Sequence, residues 1–268
     1  DRVAPLSYGK IGVMKKASLL LLFLTLLSCA SPRPSQQTPW PVRDREGNLR
    51  GYKLYLPPGE YRGLPLLVYF HGVVSEGFSR IPTLRGYTGS PVEETGLIEF
   101  CRRRRIALLA PEPLYAYSFL GVSAKGWLIS KERDGVERII DRVIEKAGLD
   151  GGEVYLAGIS AGAAFCHHLA QGRPGRCKAI LSHSQAYVDE GSRLLTPPRR
   201  EKPYGVLFAY CDGDYPELID FVVRSEALYR GSGYKTVVLK NLLPSGHRWS
   251  SPNNERFWRL LRRLGNPN

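Results

Sequence analysis

A serine flanked by two glycines stands where a predicted strand gives way to a predicted helix. Residues 154–157 are apolar, residues 161–170 are rich in alanine, and the junction carries G-x-S-x-G at Gly158, Ser160 and Gly162. A sharp turn of this kind holds a serine side chain above the sheet, and small residues let the chain reverse. The amides and dipole of the helix N-terminus favour a developing negative charge. Ser160 is the predicted nucleophile; the alternative is an inert serine in a glycine turn.

A serine hydroxyl needs a general base to become a nucleophile. In chains with this serine turn the acid follows the serine and the histidine follows the acid. His247 fits that order, because it lies after the last predicted strand and before the last predicted helix. A loop at that position can deliver an imidazole to the serine. The other histidines are expected to pack, face solvent or border the pocket: His71, His167, His168 and His183.

Two carboxylates follow the predicted strand 206–210, at Asp212 and Asp214. The one further into the turn is expected to point towards the histidine loop, so Asp214 is the preferred partner of His247. Asp212 remains an alternative, although an aspartate at that place often caps the turn through its own backbone. The predicted triad is therefore Ser160, Asp214 and His247.

Strand and helix patterns alternate along the chain, with short connections between them. The predicted strands are 50–56, 64–70, 106–110, 154–157, 179–181, 206–210 and 236–239, several of them continuous apolar runs. The best helical patterns are 136–147, 161–170, 218–229 and 255–264. This alternation predicts an α/β fold with a mostly parallel central sheet flanked by helices on both faces.

Five stretches together resemble the α/β-hydrolase superfamily. They are YKLYLP at 52–57, LLVYFHG at 66–72, Trp127 with DGV at 134–136, GISAG at 158–162 and GHRW at 246–249. More narrowly, they resemble secreted esterases grouped with polyhydroxybutyrate depolymerases and feruloyl esterases. The resemblance implies an α/β-hydrolase fold and hydrolysis of carboxylic esters, with feruloyl or acetyl polysaccharide esters or polyesters as candidate substrates.

The resemblance also implies where the oxyanion of the reaction is held. One donor comes from the loop after strand 64–70 and the other from the residue after the nucleophile. Here these donors are the backbone amides of Val73 and Ala161. Serine-triad hydrolysis needs neither a metal nor an organic cofactor, and the expected partner is an ester substrate, possibly polymer-linked.

Several aromatic residues follow strand ends on the same face as the serine. A candidate substrate wall consists of Tyr115, Tyr117, Phe119, Trp127 and Trp249. Such a wall suits a feruloyl or sugar group, and the alternative is that these aromatics pack on one another. Residues 183–202 are too few for a helical cap, so no large cap domain is expected and the site should be open.

The N-terminal region has the features of an export signal. Met14 and two lysines precede the apolar run 17–27, which is followed by Ser28 and Cys29. This run is too short for a spanning helix and is typical of a signal peptide. LLSC at 26–29 resembles the bacterial lipoprotein box, which implies lipidation of Cys29 and a membrane anchor; a plain signal peptide is the alternative. The predicted organisation is an upstream extension 1–13, a lipoprotein-type signal peptide 14–28, a flexible tether 29–47 and an α/β-hydrolase catalytic domain 48–268. The expected location is therefore extracytoplasmic, as a periplasmic or surface lipoprotein or a secreted protein.

The chain is basic, with 38 Lys and Arg against 25 Asp and Glu and a net charge of +13. This excess favours acidic partners or surfaces without identifying one. Arg102–Arg105 and the arginines 259, 262 and 263 are predicted to form solvated helix faces, with adhesion to anionic lipid or polysaccharide as the alternative. No nucleic-acid-binding motif accompanies them, so no nucleic-acid partner is expected.

Five cysteines in 268 residues are too few for a disulfide scaffold, and no C-x-x-C pair suggests a zinc site. An oxidising compartment would allow disulfides among Cys101, Cys166, Cys177 and Cys211, with Cys166 and Cys177 as the first candidate pair.

Two classes of function fit these residues. The first is an extracytoplasmic serine esterase, with acyl transfer to another alcohol as its enzymatic alternative. The second is a surface lipoprotein that keeps the fold as a binding module without turnover. The three predicted triad residues favour the first.

Overall fold

The computed structural model describes residues 35–37, 40–77, 88–119, 121–201 and 203–266. All of them belong to one compact unit, Pro34–Asn268. The predicted upstream extension, the signal peptide and Cys29 lie outside the described residues. Among the helices that are described, none has the length and apolar character needed to cross a bilayer.

The described residues build one large sheet and one small hairpin. The strands in chain order are β1 (Ser35–Gln37), β2 (Tyr52–Leu56), β3 (Leu66–Phe70), β4 (Ala107–Pro111), β5 (Ala116–Phe119), β6 (Val122–Lys125), β7 (Val154–Ile159), β8 (Ala179–His183), β9 (Gly205–Cys211) and β10 (Thr236–Leu242). The sheet runs in the order β1-β2-β4-β3-β7-β8-β9-β10, while β5 pairs with β6. From β4 to β10 all neighbouring strands are parallel, whereas β2 pairs antiparallel with both of its neighbours, β1 and β4.

Helices cover both faces of this sheet. They are α1 (Leu97–Arg104), α2 (Ile129–Ala147), α3 (Ala161–Gly172), α4 (Pro216–Gly231) and α5 (Asn254–Gly265). Apolar side chains of α2, α3 and α4 pack on one face, and those of α1 and α5 pack on the other. The central strands are buried on both sides, which is why their sequences read as continuous apolar runs. The predicted α/β class with a mostly parallel, helix-flanked sheet is confirmed.

The fold begins before residue 48, so the predicted tether 29–47 extends too far along the chain. Strand β1 pairs with β2, Val42 is buried, and its carbonyl accepts the amide of Arg50 at 2.8 Å. The Tyr52 hydroxyl donates to the carbonyl of Trp40 at 2.7 Å. Trp40 and Val42 are the two apolar residues that attach this stretch to the domain, and the surrounding Pro-rich composition makes them hard to recognise from the sequence.

Helix α2 begins at Ile129, well before the predicted start at Val136. Its first turn contains Glu132, which is buried in an ion pair with Arg50. The same carboxylate accepts the amides of Leu114 at 2.8 Å and Tyr115 at 3.0 Å. A charged residue breaks the apolar pattern here, and only its tertiary partners explain why the helix starts so early.

The segment after β8 lies close against the domain. Ala186 and Val188 are buried beside Ala164 of α3, and residues 184–201 contain no helix in the part that is described. This agrees with the expectation that no large cap covers the site.

The four cysteines of the described part form no disulfide. Cys101, Cys166, Cys177 and Cys211 are all buried free thiols, so the first candidate pair, Cys166 and Cys177, is not bonded.

Candidate active site

Ser160 occupies a strained turn between β7 and α3. Its backbone has φ 54° and ψ −127°, a conformation rare for any residue but glycine. Its amide donates to the carbonyl of His183 at 2.9 Å, which ties the turn to the end of β8. Strain of this kind persists where the surrounding structure enforces it, and it is common at functional sites.

The two glycines of the G-x-S-x-G pattern are required by close backbone contacts. A Cβ atom on Gly158 would lie 2.5 Å from the carbonyl carbon of Gly162. A Cβ atom on Gly162 would collide with the carbonyl oxygens of Phe70 and His71, at the end of β3. The glycines therefore let the start of α3 approach both its own strand and the neighbouring strand, with Ser160 at the bend.

Asp214 and His247 form a hydrogen-bonded pair. His247 Nδ1 lies 2.8 Å from Asp214 Oδ1, and the same oxygen accepts the amide of Tyr215 at 2.8 Å. Both side chains are almost fully buried. Asp214 follows β9 and His247 follows β10, so parallel neighbouring strands deliver the two residues to one edge of the sheet.

The competing carboxylate, Asp212, has a different place. It is exposed, and its backbone carbonyl accepts the amide of Gly246 at 2.6 Å and the hydroxyl of Ser245 at 2.9 Å. Asp212 thus holds the histidine loop through its main chain, while Asp214 contacts the imidazole.

Electrostatics keep the Asp214 carboxyl ionised. Burial raises its pKa, but the hydrogen bond and charge of His247, helped by Ser184 and the amide of Tyr215, leave the pKa below its ordinary value. An ionised Asp214 orients His247 with its Nδ1–H towards the carboxylate and leaves Nε2 to accept a proton.

The amides of Val73 and Ala161 are available to a ligand. The amides on either side of Val73 are occupied, since Gly72 donates to Gly89 at 2.7 Å and Val74 donates to Lys125 at 2.9 Å. Within the described residues, no acceptor meets the amide of Val73 or that of Ala161. Their side chains belong to one small apolar cluster, so the two predicted oxyanion donors lie in neighbouring backbone segments.

The contact between the nucleophile and the base is the part of the triad that the structure does not form. Ser160 Oγ makes no hydrogen bond to any of the described residues. Catalytic hydrogen bonds are often long in free enzymes and tighten when substrate binds. The approach of His247 to Ser160 therefore stays a prediction, whereas its contact with Asp214 is formed.

Two members of the predicted aromatic wall are core residues instead. Trp127 stacks on Phe165 at 5.0 Å and donates its indole N–H to the carbonyl of His71 at 2.8 Å. Trp249 meets Tyr69 edge-to-face at 5.1 Å and donates to Asn254 at 2.8 Å. Both are about 95% buried. Each follows a strand end as expected, but its ring packs in the protein core and its indole N–H donates to a group inside the protein.

The tyrosines of the hairpin lie nearer the surface. The Tyr115 hydroxyl donates to Glu46 at 3.0 Å, and the Lys131 ammonium lies 5.2 Å from the centre of its ring. Tyr117 is half-buried against the cluster that contains Val73 and Ala161. Tyr117 is thus the wall candidate that adjoins the predicted oxyanion donors. The side chain of Phe119 lies outside the described part.

A cavity of about 370 Å³ is lined in part by His71 and Val74, which come shortly before and directly after Val73 in the chain. Burial lowers the pKa of His71 at its edge, so this imidazole is neutral near pH 7. The titratable residues that line this cavity are Lys53, His71, Glu93, Glu112 and Lys125. Sequence reasoning missed it, because these residues come from separate strands and loops and share no motif. No cluster of metal-ligating side chains occurs in the described ranges.

Solved structures with the same architecture are esterases and peptidases. A ferulic acid esterase matches with a TM-score of 0.59 and 12% identity, over 87% of this chain and 100% of that chain. An S-formylglutathione hydrolase from Agrobacterium tumefaciens matches with a TM-score of 0.56 and 13% identity, over 87% of this chain and 99% of that one. An acylaminoacyl peptidase from Pyrococcus horikoshii matches with a TM-score of 0.63 and 12% identity, over 90% of this chain and 43% of that one.

At these identities the likeness shows the fold alone: the chain has the α/β-hydrolase fold, as predicted. The chain spans less than half of the peptidase chains that it matches, including 37% of a Porphyromonas gingivalis dipeptidyl peptidase 4. No family model matches the sequence, and no curated protein is similar to it in sequence.

Proposed function

We propose that this protein is a serine hydrolase that cleaves carboxylic esters. The observation that carries the proposal is the buried Asp214–His247 hydrogen bond of 2.8 Å. It lies at the sheet edge that also carries the strained Ser160 turn. The similar structures named as esterases support the same reaction class.

The mechanism that this proposal implies uses five groups: three side chains and two backbone amides. His247, oriented by Asp214, takes the proton of Ser160 as its hydroxyl oxygen attacks the ester carbonyl. The amides of Val73 and Ala161 stabilise the oxyanion of the tetrahedral intermediate. His247 then protonates the departing alcohol, and water attacks the acyl-enzyme with the same base. The negative charge is absent from the bound ester and develops on the way to the tetrahedral intermediate, so fixed amide donors stabilise the transition state more than the substrate and accelerate the reaction.

We also propose that the natural substrate is an aromatic or polymer-linked ester. The half-buried Tyr117 beside the predicted oxyanion donors offers a surface for a feruloyl or sugar group. Ala186 and Val188 of the segment after β8 pack against Ala164 of α3, and no helix occurs in the described part of 184–201, which supports a site open to a bulky ester.

Hydrolysis of p-nitrophenyl acetate and butyrate by wild type and Ser160→Ala tests the reaction. We expect the variant to lose about 10⁶-fold in kcat, the scale found when a triad serine is removed. Unfolding curves for both proteins check that the fold is unchanged. Equal rates would leave a binding module on this fold. Product analysis with an added alcohol separates hydrolysis from acyl transfer.

We further propose export and lipid anchoring through Cys29, on the basis of the sequence around it. Metabolic labelling with a radioactive fatty acid, compared between wild type and Cys29→Ser, tests this separately from the chemistry. We expect label only in the wild type, and equal label in both would exclude Cys29 as the acylated residue.

A further inference from the structure

His183 lies between the strand that leads to Ser160 and the strand that leads to Asp214. It is the last residue of β8, which pairs with β7 on one side and with β9 on the other. Its carbonyl accepts the Ser160 amide at 2.9 Å, and the next amide, of Ser184, donates to Ala209 at 2.7 Å. The peptide group between His183 and Ser184 is thus hydrogen-bonded to the Ser160 turn on one side and to β9, the strand that leads to Asp214, on the other.

The His183 ring is fully buried behind the acid. It stacks on Trp249 at 5.5 Å, its Nδ1 lies 2.8 Å from Ser184 Oγ, and its Nε2 lies 3.8 Å from Cys211 Sγ. Burial lowers the pKa of His183 to about 3, so the ring is neutral near pH 7. A neutral imidazole carries one N–H, on Nδ1 or on Nε2.

The second oxygen of the acid lacks a donor. Asp214 Oδ1 accepts two hydrogen bonds, whereas Oδ2 is buried and accepts none from the residues described. The Ser184 hydroxyl lies beside this carboxyl and lowers its pKa. A buried carboxylate oxygen without a donor is costly, and such an atom calls for a partner.

We propose that Ser184 and His183 are positioning residues for the reaction of the Ser160 site. His183 Nδ1–H donates to Ser184 Oγ, and the Ser184 hydroxyl proton is thereby free to donate to Asp214 Oδ2. Asp214 Oδ1 remains for His247. This inference rests on the proposed function and adds two residues that touch neither substrate nor the reacting atoms.

The direction of the chain of hydrogen bonds follows from counting protons. The Ser184 hydroxyl has one proton, and donating it to His183 Nδ1 would leave Asp214 Oδ2 without a donor. With the proton on Nδ1, Ser184 Oγ and Asp214 Oδ2 each have a donor, and Nε2 faces the Cys211 thiol. Satisfied buried networks of this kind hold their members in one geometry. The Asp214 carboxylate is then held in one orientation, and so is the imidazole that it orients.

Four variants test the chain of donors. Ser184 has φ 57°, so Ser184→Gly removes the hydroxyl without straining the backbone. Ser192→Gly is the matched control, because Ser192 also has a positive φ, of 61°, is exposed and is not part of the proposed chain of hydrogen bonds. His183→Phe keeps a ring on Trp249 but loses the donor. His183→Asn keeps a donor, because its amide nitrogen is as many bonds from Cα as Nδ1 is.

Two readouts are measured on each folded variant. The first is kcat and KM for a p-nitrophenyl ester, with the number of active sites titrated by a fluorophosphonate. The second is the low-field proton NMR signal of His247 Nδ1–H, which reports its hydrogen bond to Asp214 and needs no turnover. Thermal unfolding of each variant is compared with that of Ser192→Gly.

We expect Ser184→Gly and His183→Phe each to lower kcat about tenfold, the scale of one hydrogen bond to a charged group, with KM unchanged. Both should shift the low-field signal, while His183→Asn and Ser192→Gly should keep wild-type values. The double variant Ser184→Gly/His183→Phe should be no slower than either single variant, because both break one chain.

Wild-type kcat and an unshifted signal in Ser184→Gly would overturn the proposal, and additive losses in the double variant would do the same. Failure of the proposed function has another signature: the wild type would then lack ester hydrolysis, while the NMR signal still reports whether Ser184 and His183 act on Asp214.

Discussion

At the scale of single residues, the candidate site depends on how closely backbones approach one another. Gly162 lies against the end of β3, and this contact sets the distance between the amide of Ala161 and the Val73 loop. A transition-state oxyanion needs both amides within hydrogen-bond reach of one point. The glycine therefore matters for geometry rather than for flexibility.

Gly162→Ala should consequently damage both stability and activity. Its Cβ would strike the Phe70 and His71 carbonyl oxygens and push α3 away from β3. We expect a loss of about 1–3 kcal/mol in unfolding free energy, the scale of overpacking, and a large loss of kcat. Denaturant unfolding and ester hydrolysis measure the two effects. Gly231→Ala is the control, because a Cβ there meets nothing within 4 Å, and it should be neutral in both assays.

The two aspartates after β9 make a second prediction at this scale. Asp214→Asn should lower kcat/KM roughly 10³–10⁴-fold, since an amide cannot hold His247 in the required tautomer. Asp212→Asn should retain most activity, because Asp212 is exposed and acts through its carbonyl. Hydrolysis rates of both variants on the same ester decide which aspartate orients His247, and unfolding curves check that both variants are folded. Comparable losses in the two variants would contradict the assignment.

At the scale of elements, a buried ion pair joins the start of the domain to helix α2. Arg50 and Glu132 are both fully buried, and Glu132 also accepts the amides of Leu114 and Tyr115. This carboxylate therefore fixes the entry to the hairpin that carries Tyr117. The helix, the hairpin and the first residues of the domain are positioned together.

Glu132→Gln should show what that pair contributes. The amide oxygen can still accept from Leu114 and Tyr115, but the buried Arg50 loses its close carboxylate and keeps only Asp44, 3.7 Å away, as an opposite charge. Breaking one partner of a buried pair typically costs about 3–5 kcal/mol. Urea unfolding measures it, with Glu145→Gln as the control, since the exposed Glu145–Arg142 pair should contribute under about 1 kcal/mol. A similar small change in both variants would show that Arg50 finds another partner.

The same element scale shows what the sequence could predict. Strands β3, β7 and β9 are recognisable because burial on both faces makes them apolar throughout. The start of α2 is not, because the Glu132–Arg50 contact spans distant parts of the chain. Order along the chain pointed to Asp214 and His247, and the structure joins these two side chains in a hydrogen bond. Trp127 and Trp249 are buried instead of lining an open wall, because the sequence around an aromatic residue does not show which way its ring will turn.

At the scale of the whole molecule, the positive charge is spread over solvated helix faces. Arg103, Arg104, Arg259 and Arg263 are exposed on α1 and α5, as predicted for these arginines. Arg102 and Arg262 are half-buried and pair with Glu99 and Glu153 at 2.7 Å each. Such surface pairs add little to stability, so the pH dependence of unfolding should depend on buried groups instead.

Buried histidines should make the protein lose stability in mild acid. The pKa of His183 falls to about 3 on burial, against about 6.5 in an unfolded chain. Above pH 6.5 the ring is neutral in both states and its contribution is fully present. As pH falls below 6.5, this histidine is protonated in the unfolded chain but stays neutral in the folded protein. The free energy of unfolding therefore drops by up to about 1.4 kcal/mol per pH unit for this residue. The depressed pKa of Asp214 acts in the same direction but only below about pH 4.

Urea unfolding of wild type and His183→Phe at pH 7.5, 6.0, 5.0 and 4.5 separates the two contributions, because the phenylalanine cannot take up a proton. We expect the variant to have a shallower pH dependence between 6.0 and 4.5, and parallel curves over that range would mean that His183 is protonated as easily in the folded protein as in the unfolded chain.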